Sequence, residues 1–157
     1  METLKPSKAV IFTKFAEMAK VLMRELAEYG PLLIAGEVSS EDRQKAVDLF
    51  NSDRSRKLII STDAGAYGLN LQSADHVFMY DLPWSVAKLL QREDRAHRMG
   101  QTRPVNVINL VARGTIDEYV AKVLKRKGRQ AVEVLEDESR LEEAGLTAEE
   151  IREILRI

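Results

Sequence analysis

Gln91, Arg95 and Arg98 carry the strongest chemical signal in this chain. They stand at i, i+4 and i+7, a spacing that places three side chains on one face of a helix. Two arginines one turn apart make poor core residues. They make a good clamp for a polyphosphate, because each guanidinium offers a planar fork to paired oxygens. A plainer alternative is an exposed face on which Asp94 pairs with Arg98 at i, i+4. Arg92 lies about 100° round the helix from Gln91 and Arg103 follows the stretch, so both read as bystanders to the shared face.

A second stretch with chemical potential is Ser61-Thr-Asp-Ala-Gly65-Ala-Tyr-Gly68-Leu-Asn70. Two glycines three apart let backbone amides approach a ligand closely. Ser61, Thr62 and Asn70 add short polar groups suited to phosphate or ribose hydroxyls. A tight strand-to-helix turn would use the same residues. An absence matters as much. No Gly-x-x-x-x-Gly-Lys-Ser/Thr and no Asp-Glu-x-His occurs in the chain. A polyphosphate held here would need its phosphate loop and its magnesium carboxylate from elsewhere.

The elements that must position these residues alternate. Lys8–Phe12, Leu32–Ala35, Lys57–Ile60, His76–Tyr80 and Val105–Val111 are short apolar or β-rich runs, predicted as strands. Residues 14–29 space Phe15, Met18, Ala19, Leu22 and Leu26 helically, and Gly30-Pro31 stops that helix. Ser39 or Ser40 opens a helix with Ala46, Val47 and Phe50 on its apolar face. Ser85 opens one over about 86–98. Thr115-Ile-Asp-Glu118 is a capping box before Ile116, Tyr119, Val120, Val123 and Leu124, and Thr147-Ala-Glu-Glu150 is another near the end. Strands of four to seven residues between helices predict an α/β fold with a mainly parallel sheet. Ligands of such sheets bind beyond the carboxyl ends of the strands, so the loops after residues 12, 35, 61 and 81 are the ones that could meet a ligand, and the stretch from Ser61 to Asn70 is one of them.

Composition narrows the class. The chain has 157 residues, 45% hydrophobic and 31% charged, which suits one folded domain and excludes wholesale disorder. It has no cysteine, so a disulfide framework and a cysteine zinc site are excluded. His76 and His97 are not at metal-ligand spacing. No apolar run reaches the roughly 18 residues of a membrane span, and the first residues carry no signal-peptide core. The expectation is a soluble intracellular monomer of the cytoplasm, nucleoid or nucleus. The net charge of −1 hides a gradient, with −2 over residues 1–84, +7 over 85–130 and −6 over 131–157. A basic block beside an acidic tail fits either an anion-handling domain with a separate end, or two helices of opposite sign that pair.

The residues also carry a family resemblance. Gln91-Arg-Glu-Asp-Arg95-Ala-His-Arg98-Met-Gly-Gln101 resembles motif VI of the SWI/SNF helicase-like family of superfamily 2. The stretch from Ser61 to Asn70 resembles motif V, and Lys8-Ala-Val-Ile-Phe-Thr-Lys-Phe15 resembles motif IV. Gly36-Glu-Val-Ser-Ser-Glu-Asp-Arg43 with Phe50-Asn51, Leu82-Pro-Trp84 and Gly114-Thr-Ile-Asp-Glu118 fit in the same order. Residues 7–130 are covered.

The resemblance implies a RecA-like three-layer sandwich of the P-loop NTPase type, the second lobe of a DNA-dependent ATPase or translocase. Residues 1–130 would be that lobe, and 131–157 an acidic helical tail or brace. ATP and Mg2+ would sit at the interface with an N-terminal lobe supplied by the same full-length chain or a separate gene product. Arg95 and Arg98 would be arginine fingers acting on the γ-phosphoryl group, with Gln91 orienting that end of the site. Gly68 and Asn70 would lie near the ribose. Thr13, Lys14, Arg43, Ser61, Thr62 and Trp84 would contact double-stranded DNA. Two positions depart from the family pattern. Relatives often carry a basic residue where this chain has Asp63, as DEAD-box RNA helicases do not. Relatives also often carry a proline shortly after the tryptophan, where Ser85-Val86 stands. The alternatives are a DEAD-box-like RNA helicase lobe and a non-enzymatic docking module of the same fold.

Overall fold

The computed structural model describes residues 7–63, 69–95 and 104–133. By its contacts the chain divides into two compact units, Met1–Tyr80 with Arg92–Asn109, and Asp81–Gln91 with Leu110–Ile157.

The first unit is built on five strands: β1 (Ala9–Thr13), β2 (Leu32–Ile34), β3 (Leu58–Thr62), β4 (His76–Met79) and β5 (Asn106–Asn109). They form one sheet in the order β2-β3-β1-β4-β5, and every pairing is parallel. The alternation of short strands with helices therefore gave the right class. All five residues of β3 are buried, as expected of a central strand covered on both faces. Val10, Phe12, Ile34, Ile59, Ile60, Val77 and Met79 make the core with Val47 and Phe50. β3 runs two residues past its apolar run, because Ser61 and Thr62 pair with Phe12 and Thr13. β5 is shorter than its apolar pattern. It is an edge strand, and its one neighbour offers four residues to pair with.

The first crossover helix, α1 (Ala16–Glu25), ends four residues before the predicted stop and continues as a 3-10 turn over Ala27–Tyr29. Gly30 then adopts φ +55, with the Arg56 guanidinium 3.3 Å from where a β-carbon would stand. Helix α2 (Ser40–Ser52) is capped by Ser39, whose Oγ accepts from the Asp42 amide at 3.1 Å. At its other end the buried Lys8 donates from Nζ to the carbonyls of Phe50 and of Asp53, the latter at 2.8 Å. Burial pulls the Lys8 ammonium below its ordinary value, against the opposing charge of Asp53. The cation sits where the helix dipole is negative.

In the second unit, Ser85 opens α3 (Val86–Asp94) by accepting from the Lys88 amide at 3.3 Å. The last three residues of this helix belong to the first unit. Thr115 opens α4 (Ile116–Glu133), its Oγ1 accepting from the Asp117 amide at 3.2 Å. Val120, Val123 and Leu124 form the buried stripe, whereas Ile116, expected on it, is exposed. α4 runs past residue 130. The capping box at Thr147 and most of the acidic tail lie outside the described residues. Among the described residues no helix is long and apolar enough to cross a membrane.

Candidate nucleotide and nucleic-acid site

Parallel pairing brings the carboxyl ends of β1 and β3 side by side, with Thr13 opposite Thr62. Thr13, Ser61 and Thr62 are buried there, at 0%, 0% and 3% exposure. The next residues outward are Lys14 and Asp63. Lys14 is half-buried and places its ammonium 4.8 Å from the Phe15 ring centroid. Arg43, in the first turn of α2, folds back on the preceding turn. Its Nε donates to the Val38 carbonyl at 3.0 Å and its Nη2 to Ser40 Oγ at 3.3 Å.

Beyond the glycines, the segment from Leu69 to Ser73 is held from two sides. Asn51, the last-turn residue of α2, donates from Nδ2 to the Asn70 carbonyl at 2.9 Å. Its Oδ1 accepts from the Ser73 amide at 3.3 Å. From the end of α3, Arg95 donates from Nη1 to the Leu69 carbonyl at 3.2 Å. The Arg95 carbonyl accepts from the Leu71 amide at 3.0 Å. Motif V and motif VI thus meet through Arg95. Asn70 is half-buried, and among the described residues its buried Oδ1 has no hydrogen-bond partner. An acceptor placed so suits an incoming hydroxyl.

Arg92 is no bystander. Its side chain is 3% exposed and grips Asp63 with two bonds, Nε to Oδ1 at 2.7 Å and Nη2 to Oδ2 at 3.1 Å. Its Nη1 lies 3.9 Å from Met79 Sδ, and its Cζ 5.8 Å from the Phe12 ring centroid. Asp63, the acid that departs from the family pattern, is therefore the counter-ion of a buried cation. The sequence held a signal for this pair: an unexpected acid in one motif and a spare arginine in the next. Asn51 was marked only by the Phe50-Asn51 pair of the family pattern, which carried no role for its side chain.

In the second unit, Gln91 and Trp84 are exposed, Trp84 by 44%. Gly68 and Arg98 lie outside the described residues. Among the described residues no three His, Cys, Asp or Glu side chains group as a metal site.

The class defined by a parallel sheet carrying these motifs on its carboxyl edge is a RecA-like helicase lobe. The family model described as the helicase conserved C-terminal domain matches residues 1–100. Protein CHROMATIN REMODELING 19 of Arabidopsis thaliana is 37% identical over 145 residues, covering 90% of this chain and 19% of that protein. The mouse SWI/SNF-related matrix-associated actin-dependent regulator of chromatin subfamily A member 1 is 38% identical over 122 residues, covering 74% of this chain and 12% of its own length. The solved Sulfolobus solfataricus SWI2/SNF2 ATPase core in complex with double-stranded DNA superposes with a TM-score of 0.66 at 30% identity. It covers 94% of this chain and 31% of that one. The chain belongs to the helicase conserved C-terminal domain family and is a C-terminal RecA-like lobe of the SWI/SNF type. It spans less than a fifth of the length of these two curated relatives.

Proposed function

We propose that this chain is the second lobe of a DNA-dependent ATPase that translocates on duplex DNA, and that it turns over ATP only with a first lobe beside it. The observation that carries this reading is the junction of motif V with motif VI, where Arg95 is tied through its side chain and its carbonyl to Leu69 and Leu71. A finger must be held before charge develops, since preorganised groups need no rearrangement during the reaction. Arg95 and Arg98 then stabilise the γ-phosphoryl charge, and Gln91, one turn before Arg95, orients the attacking end. Gly68 and Asn70 take the ribose, and the unpartnered Asn70 Oδ1 fits a hydroxyl donor. The missing carboxylates that hold Mg2+ come from the first lobe, where the cation offsets phosphate charge.

In the first unit DNA contacts Lys14 and Arg43, and in the second unit the exposed Trp84 is a further DNA contact. Thr13, Ser61 and Thr62 are covered in this lobe, so their part is to set the height of the strand ends. The DNA-bound state of the Sulfolobus relative supports this partner. The acidic stretch 131–157 is a helical tail or brace that does not bind DNA, since a charge of −6 opposes phosphate. The test is ATP turnover by this chain joined to a first lobe. Duplex DNA should stimulate it and RNA should not. Stimulation by RNA alone, or hydrolysis by the rigorously pure isolated chain, would sink the reading.

A further inference from the structure

We propose that Asp63 and Arg92 form a positioning pair that fixes the orientation of Arg95; the inference rests on the finger role proposed above. Three strands converge on one guanidinium. Asp63 follows β3, Phe12 belongs to β1 and Met79 ends β4, and Phe12 and Met79 are paired in register. Arg92 contacts all three of these residues. Almost fully buried, it does not present its charge to a ligand. It acts through the residue one turn along. The end of α3 is tied twice within the first unit, by Asp63 on Arg92 and by Leu69 and Leu71 on Arg95. A rigid pair at the first tie sets where the second can form. A bidentate fork restricts rotation as well as distance, which a single bond does not.

The pair therefore replaces a charge-bearing motif V residue with an internal lock. Asp63 holds no phosphate here. Its carboxylate neutralises an arginine that would otherwise be a buried, unpaired cation.

The test uses three variants in the two-lobe enzyme with saturating duplex DNA, and hydrogen exchange on the chain itself. Arg92→Lys keeps the charge and loses the fork. Arg92→Met leaves Asp63 without its partner. The double variant Asp63→Leu with Arg92→Met removes both charges, and paired apolar replacement of this kind commonly keeps a protein folded. In all three, kcat should fall by about 10–100-fold while KM moves little, as small misplacements of a reacting group do. The Leu71 amide, which donates to Arg95, should exchange at least about tenfold faster. The Ala9 amide, bonded to the Lys57 carbonyl at the far end of the sheet, should be unchanged. The double variant separates positioning from mere stability: it should melt near the parent temperature and still turn over slowly. Parent-like turnover by the folded double variant, or by Arg92→Lys, would overturn the inference. Arg95→Ala in the same assay separates the two levels. If Arg95→Ala is slow and the pair variants are not, only the pair is wrong. If Arg95→Ala is unaffected, the finger reading falls first and takes the pair with it.

Discussion

Asp63 and Asp75 sit at opposite ends of the same sheet, and they are used differently. Asp75, just before β4, accepts from Ser7 Oγ at 2.8 Å and from the Lys8 amide at 3.0 Å, and its Oδ1 lies 2.8 Å from His76 Nδ1. These three partners lie on the segments that enter β1 and β4, and together they pin the start of the sheet. Asp63, just after β3, reaches instead to a helix that arrives some thirty residues later. The lesson is that a carboxylate at the amino end of a parallel sheet serves the fold, while one at the carboxyl end can join two motifs. Damage at the first end should appear in stability, and damage at the second in rate.

The largest expected effect falls at the carboxyl end. In the two-lobe enzyme Arg95→Ala or Arg98→Ala should lower turnover by on the order of 10³ or more, with ATP and DNA affinities little changed. Arg95→Lys should rescue poorly, because an ammonium cannot engage two oxygens in a plane. Steady-state and single-turnover rates check both. A loss confined to KM would break the comparison.

At the amino end the largest effect should come from Lys8→Met. The apolar stem is kept, but the Phe50 and Asp53 carbonyls lose their donor. The cost should be about 1–3 kcal/mol in denaturant unfolding, with turnover per folded molecule unchanged. A change in kcat without a change in stability would show that the two ends are coupled.

Asp75→Asn should cost less, about 1 kcal/mol at neutral pH. Burial works against the charge of Asp75, but the bonds with His76, Ser7 and the Lys8 amide together outweigh it and hold the carboxyl below its ordinary 3.8. A carboxyl depressed in the folded state contributes stability that is complete above the unfolded value. That contribution is lost as pH falls through the folded value. The parent should therefore converge on the variant below about pH 3.8, and unfolding curves across pH 7 to 2 check it. The smallest effect should come from truncation after Gly128, which removes the acidic stretch. The sheet should still form, by circular dichroism and the unfolding midpoint. Loss of folding would move the boundary of the lobe beyond 130.

Much of this was legible in the residues. The β-rich runs placed all five strands, most plainly β3, because a parallel strand buried on both faces must be nearly continuous in apolar residues. What the pattern did not give was where strands stop. Ser61 and Thr62 look like loop residues, and only pairing with Phe12 and Thr13 makes them strand. The motif VI face was legible from spacing, yet the same spacing set Arg92 aside. Helical geometry tells which residues share a face, but not which face meets the core, and Arg92 is on the buried one. Lys8 escaped for a related reason. A lysine opening a strand reads as solvent-facing, and only the arrival of α2 gives its ammonium two carbonyls.

The strand order has a consequence for synthesis. β1 is the central strand, yet its partners are β3 and β4, and β2 is bonded only to β3. A ribosome releasing this chain exposes Val10 and Phe12 first, and their neighbours Ile59 and Val77 tens of residues later. No strand can be paired until Leu58–Thr62 has left the exit tunnel, so the first half of the chain can gain helices but no sheet. For that interval the central strand of the sheet has an open edge on both sides, the condition under which unfinished chains associate. A pause in translation before Leu58–Thr62 has left the tunnel should raise aggregation, and the same pause once His76–Met79 has also left it should not.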